Sequence, residues 1–95
     1  MIVSFRDDET ATVWVGERSR KLPPDIQAIA LRKLRLLNNV RRLEDLRVPP
    51  ANRLEALKGD RKGQHSIRIN QQWRICFEWP KSALGPSNVE IVDYH

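Results

Sequence analysis

Residues 66–79 read SIRINQQWRICFEW, and their spacing decides the fold. Trp73, Ile75, Phe77 and Trp79 alternate with Arg74, Cys76 and Glu78, a period of two sustained over seven residues. Ile67 and Ile69 flank Arg68 in the same manner. Both runs therefore predict strands, and Asn70-Gln71-Gln72 is short enough to join them as a hairpin. The alternation also sorts side chains between faces. With the tryptophans, isoleucines and Phe77 turned to the core, Arg68 and Arg74 point the other way.

Downstream, residues 80–88 hold two Pro, one Gly and two Ser and read as a loop. Residues 89–94 predict a last strand. Upstream, the period becomes helical. Over residues 24–42, Ile26, Ile29, Ala30, Leu34, Leu37 and Val40 share one arc with Leu36 and Leu43, and most of the arginines lie outside it. Lys33 falls inside that arc, where a long stem lets its amine reach water. Pro23-Pro24 suits a helix start, and Pro49-Pro50 ends the helical region by removing two backbone donors. Residues 7–18 predict a shorter helix, with Asp7, Asp8 and Glu9 against its N-terminal dipole. Residues 2–5 predict an opening strand. Helices early and strands late indicate an α+β fold in a single domain over residues 1–95: an N-terminal strand and two helices packed on a mainly antiparallel four- to five-stranded sheet. One face of that sheet meets the helices and the other is free.

The chain is short enough that it buries one modest core. Hydrophobic residues at 40% and charged residues at 31% exclude a disordered chain. No apolar run approaches the roughly 18 residues of a membrane span, and the start MIVSFRDDE has no signal-peptide pattern. The single Cys76 forms no internal disulfide. A cytoplasmic location is expected. Net charge is +5, unevenly spread: residues 52–81 carry seven basic against three acidic side chains, whereas residues 1–22 carry four of each. Such a field attracts polyanions, nucleic acid foremost, or is simply a solvated basic surface.

Lys58, Arg61, Lys62 and His65 crowd the turn before the hairpin, and Arg68 and Arg74 lie on the free sheet face. These groups either form a concave surface for a phosphate backbone or stand as solvated surface residues. Asp93, Tyr94 and His95 bring a carboxylate, a phenol and an imidazole together, which are general acid–base parts or idle terminal residues. Cys76 at mid-strand reads as packing, as do the three tryptophans. His65 has no partner histidine at metal-ligand spacing, so no metal is expected.

The segment EALKGDRKGQHSIRINQQWRICFEW at residues 55–79 resembles the signature of HigB-type toxins of type II toxin–antitoxin systems, in the RelE/ParE-like superfamily. VEIVDYH at residues 89–95 is similar to that family's ending, and PPANRLEAL and the opening MIVSF fit as well. The resemblance implies the RelE-like α+β microdomain. It implies an endoribonuclease that cleaves messenger RNA in the decoding site of the ribosome, without a metal or other cofactor. By position it implies a site of Lys58, Arg74, Asp93, Tyr94 and His95. Some members carry a histidine three residues before the lysine; Glu55 stands there in this chain, as a carboxylate base or a cap for the turn. Arg61, Lys62, His65 and Arg68 complete the expected RNA-binding set.

The chemistry suits these residue types. RNA is cut when its own 2′-OH attacks the neighbouring phosphorus; a base takes the 2′ proton, cations stabilise the phosphorane-like transition state, and an acid protonates the leaving 5′-oxygen. Lys58 and Arg74 suit stabilisation; Asp93, Glu55 and His95 are candidate bases; Tyr94 stacks on a base or orients the phosphate. The resemblance also implies a HigA-type helix-turn-helix antitoxin, with operator DNA reached only through it, and no membrane partner. Two other classes compete: a ParE-like poison of DNA gyrase, which has no need of the Lys58, Arg74 and Asp93-Tyr94-His95 set, and a nucleic-acid-binding module without activity.

Overall fold

The structure, a computed structural model, describes residues 1–94. The hairpin forms where the alternation predicts it: β2 (Gln64–Arg68) and β3 (Trp73–Glu78) pair antiparallel, with Ile67 opposite Ile75 and Arg68 opposite Arg74. Asn70 holds the turn, its Oδ1 accepting the backbone N–H groups of Gln72 at 2.8 Å and Trp73 at 2.7 Å. β4 (Ser87–Asp93) pairs antiparallel along the other side of β3. A two-residue strand that no local periodicity announces, β1 (Glu55–Ala56), pairs with β2, giving a four-stranded sheet in the order β1-β2-β3-β4.

Two helices cover one face, so the α+β expectation is met. α1 (Asp8–Trp14) starts at Asp7, whose Oδ1 accepts the Thr10 N–H at 2.8 Å, and it stops ahead of Gly16, which takes a φ of 85°. It is shorter than the predicted 7–18 span for that reason. α2 (Pro24–Asn39) has proline in its first turn. It ends three residues before the predicted 42 because Val40 is extended and Asp45 Oδ2 accepts the Arg42 N–H, opening a separate 3-10 turn, Leu43–Arg47, that delivers Leu46 to the core. Ile26, Ala30, Leu34 and Leu37 of α2 pack on Ile67, Ile75, Phe77, Val89 and Ile91 of the sheet. Each large aliphatic side chain so buried contributes about 1.5–3 kcal/mol.

The opening segment is reduced from the expected strand to a single parallel bridge, Phe5 with Val89. It still satisfies the outer edge of β4: Val89 N–H donates to Ser4 O at 3.1 Å, and Arg6 N–H to Val89 O at 2.9 Å. Buried Thr10 completes the edge, its Oγ1 accepting the Ile91 N–H at 2.9 Å. Lys33 lies half-buried at the edge of that arc, as its long stem allows. Its Nζ donates to Oδ1 of Asn52, whose side chain is wholly buried. Burial foremost, then the charge of Arg32, lowers the Lys33 pKa. Asn52 Nδ2 in turn donates to Leu46 O at 3.1 Å and Val48 O at 3.2 Å, fastening the 43–53 segment to α2. No described helix is long and apolar enough to cross a membrane.

Candidate active site

The strand register lines up Glu55, Ser66, Cys76 and Glu90 in one row across all four strands, on the face opposite the helices. Arg68, Arg74 and Val92 form the next row. This face is less open than alternation alone suggests. Ser66 and Cys76 have no exposed surface, and Glu90 is nearly as covered. Arginine side chains form part of the cover, and their guanidinium groups are held in place by acceptors of the face itself.

Arg74 is the centre of one cluster. Its side chain is 12% exposed. Nη1 donates to Ser66 Oγ at 2.6 Å and to the backbone carbonyl of Arg53 at 3.3 Å. Nη2 donates to Glu55 Oε1 at 3.1 Å. The guanidinium carbon stands 5.9 Å from the Tyr94 ring centroid, within cation–π range. Tyr94 is tied to the hairpin by its backbone N–H, which donates to Gln72 O at 2.9 Å. Gln72 also donates through Nε2 to Asp93 Oδ2 at 3.0 Å. Register places Asp93 opposite Trp73, on the other parity from Arg74.

A second cluster surrounds Glu90. Its Oε1 accepts from Arg61 Nη1 at 2.8 Å, and its Oε2 lies 3.8 Å from Arg6 Nε. Arg61 Nη1 is shared with Gln64 Oε1 at 3.0 Å. The hydrogen bond to Glu90 outweighs partial burial and raises the Arg61 pKa. These residues and Asp60 line an open depression of about 410 Å³.

Of the residues singled out in the sequence, Glu55, Arg74 and Tyr94 therefore meet. Lys58 is exposed at the head of the 3-10 turn Gly59–Arg61, and its amine has no partner among the described residues. Lys62 is exposed at the end of that turn, and Arg68 is half-buried beside Arg74 in register. His65 lies on the helix side of the sheet, opposite Phe77 with ring centroids 6.1 Å apart, and burial lowers its pKa. It thus shares no face with Arg68 and Arg74. His95 lies outside the described residues. Burial also pushes the Cys76 thiol up to about 11, so it stays protonated and acts as packing. Among the described residues no group of His, Cys, Asp and Glu is arranged to hold a metal ion.

Sequence reasoning missed Ser66, Arg53, Gln72, Arg6 and Glu90. For Ser66 the signal was available, since its parity is that of Arg68 and Arg74. Arg6 and Glu90 are brought together from opposite ends of the chain, and nothing local announces them.

A basic α+β domain with arginine-rich polar chemistry on one sheet face agrees with a toxin of the RelE-like class. The profile of the family described as HigB-like toxin, the RelE-like toxin of the type II toxin–antitoxin system HigB, matches residues 3–95, and the chain belongs to that family. It is 44% identical over 80 residues to Toxin HigB-1 of Vibrio cholerae serotype O1, covering 83% of this chain and 84% of that one. It is also 34% identical over 92 residues to an uncharacterized protein of Haemophilus influenzae, covering 96% and 91% of the two chains. The protein is thus the toxin half of a toxin–antitoxin pair, and an antitoxin is implied.

Proposed function

We propose that this toxin is a ribosome-dependent endoribonuclease that cuts messenger RNA in the decoding site, with the sheet face around Arg74 as its active surface. The observation that carries the reading is the Arg74 guanidinium, fixed by Ser66, Arg53 and Glu55 beside the Tyr94 ring. A planar fork held in place before substrate arrives is the group a phosphorane-like transition state requires, since its donors need no reorganisation when charge develops. Lys58, exposed and unpaired among the described residues, supplies a second cation. Together they take the electrostatic part of the reaction without a metal.

Proton transfer falls to Glu55, Asp93 and His95, and Tyr94 stacks on a base of the messenger or orients its phosphate. Glu55 already sits on Arg74. An incoming phosphate competes for that guanidinium and releases the carboxylate beside the 2′-OH. Arg61, Lys62 and Arg68 extend the positive surface; His65, on the helix side of the sheet, takes no part in it. The ribosome holds the substrate in register, a task too large for so small a domain. The partner is a HigA-type helix-turn-helix antitoxin that carries the complex to operator DNA, and the setting is the cytoplasm. Incubation with messenger RNA, with and without ribosomes, tests the reading. Cleavage is expected only with ribosomes; equal rates on naked messenger contradict it.

A further inference from the structure

We infer that the two sides of the Arg74 guanidinium have different duties, and that Ser66 is a positioning residue that sets one of them. The Nη1 side is anchored by neutral acceptors, Ser66 Oγ at 2.6 Å and Arg53 O at 3.3 Å. The Nη2 side faces Glu55, whose side chain is 52% exposed. Neutral acceptors fix a cation without cancelling its charge, whereas an exposed carboxylate exchanges readily for a phosphate oxygen. Nη1 therefore holds the group still, and Nη2 with the rest of that edge works on the phosphate. This inference rests on the ribonuclease reading above and adds to it the orientation of the fork.

Two further features support the division. Ser66 is a wholly buried polar side chain in mid-strand, and Arg74 is the one hydrogen-bond partner of its hydroxyl among the described residues. A buried hydroxyl costs stability unless it is bonded, so an apolar residue would serve packing better at this position. Arg53, in turn, adopts the left-handed conformation, φ 45° and ψ 57°, which a non-glycine residue rarely takes. That conformation ends the 3-10 turn Pro50–Asn52 and leaves the Arg53 carbonyl accepting from Arg74. Buried Asn52 pins the turn itself. A strained backbone and a buried hydroxyl thus meet on one nitrogen of one guanidinium.

The test is a double-mutant cycle on ribosome-dependent messenger cleavage, with Ser66→Ala, Arg74→Lys and the pair, plus Ser66→Thr as the conservative variant. Ser66→Ala is expected to lower kcat about ten- to a hundredfold with KM unchanged, the cost of a small misplacement of a reacting group. Arg74→Lys keeps the charge and loses the fork, and adding Ser66→Ala to it is expected to cost no more, because Ser66 acts through that fork. Ser66→Thr, if folded, is expected to recover most of the rate. Normal kcat in Ser66→Ala, or losses that multiply in the double variant, overturn the positioning role while leaving Arg74 in the site. Normal cleavage by Arg74→Lys overturns the reading of the site itself, and the inference falls with it.

Discussion

Glu55 and Arg74 are joined at 3.1 Å, yet they differ in exposure: the carboxylate side chain is 52% exposed and the guanidinium side chain 12%. Such a pair contributes little to stability, on the order of 1 kcal/mol or less. In the function proposed above, its weight lies in its exchange for a phosphate. Glu55→Gln is therefore expected to leave the melting temperature nearly unchanged and to reduce messenger cleavage by about tenfold or more through loss of a base. If Glu55→Gln cuts at the normal rate, the carboxylate only caps the segment and the base is Asp93 or His95.

Phe77 and Trp73 share the helix-facing side of β3, but Phe77 is wholly buried and Trp73 half-buried. Phe77→Ala is expected to cost about 3–5 kcal/mol, the usual price of truncating a core aromatic. Trp73→Ala should cost less, because part of its ring is already in water. Urea denaturation of the two variants checks the order. Equal losses would show that the end of the hairpin is as tightly packed as its middle.

Asn52 forms a latch whose effect reaches the site. Its side chain bonds Leu46 O, Val48 O and the Lys33 amine, all with no exposure of its own. Asn52→Ala leaves these groups without their partner and is expected to cost about 2–4 kcal/mol. It should also slow cleavage in molecules that remain folded, because Arg53 follows Asn52 in the chain and offers its carbonyl to Arg74. Unchanged stability would mean that water replaces the amide at no cost.

How far the sequence could be read depended on the distance over which each feature is encoded. The hairpin and α2 were legible because period two and period 3.6 are local properties. β1 was not, since two residues carry no period. Residues 2–5 have the composition of a strand, but they make only a single bridge beside β4. The parity that sends Arg74 to the free face also sends His65 to the helix side with Ile67, although the crowd of basic residues around it suggested otherwise. The Arg74 cradle draws on Arg53 and Glu55, from loop and strand about twenty residues upstream. Only the folded register shows that Glu55, Ser66 and Arg74 meet.

His65 gives a pH signature. Burial lowers its pKa below the ordinary 6.5, so the unfolded chain binds the proton more readily than the folded one. Stability is then complete above the unfolded value and declines as pH falls through it towards the folded value. Between about pH 7.5 and 5.5 the melting temperature of the wild type is expected to drop more than that of His65→Gln. Parallel drops in both proteins would assign the acid sensitivity elsewhere.

Arg74 is proposed to work on RNA from the polar face of the sheet. Primer extension on messenger RNA incubated with translating ribosomes tests it most directly, using wild type and Arg74→Lys with melting temperatures measured on the same samples. Wild type is expected to give new stops at discrete positions in the translated region. Arg74→Lys is expected to remain folded and to lose those stops by about a hundredfold, as removal of a preorganised donor does elsewhere. Undiminished stops from a folded Arg74→Lys, or growth arrest by the wild type with the messenger left intact, would contradict the account.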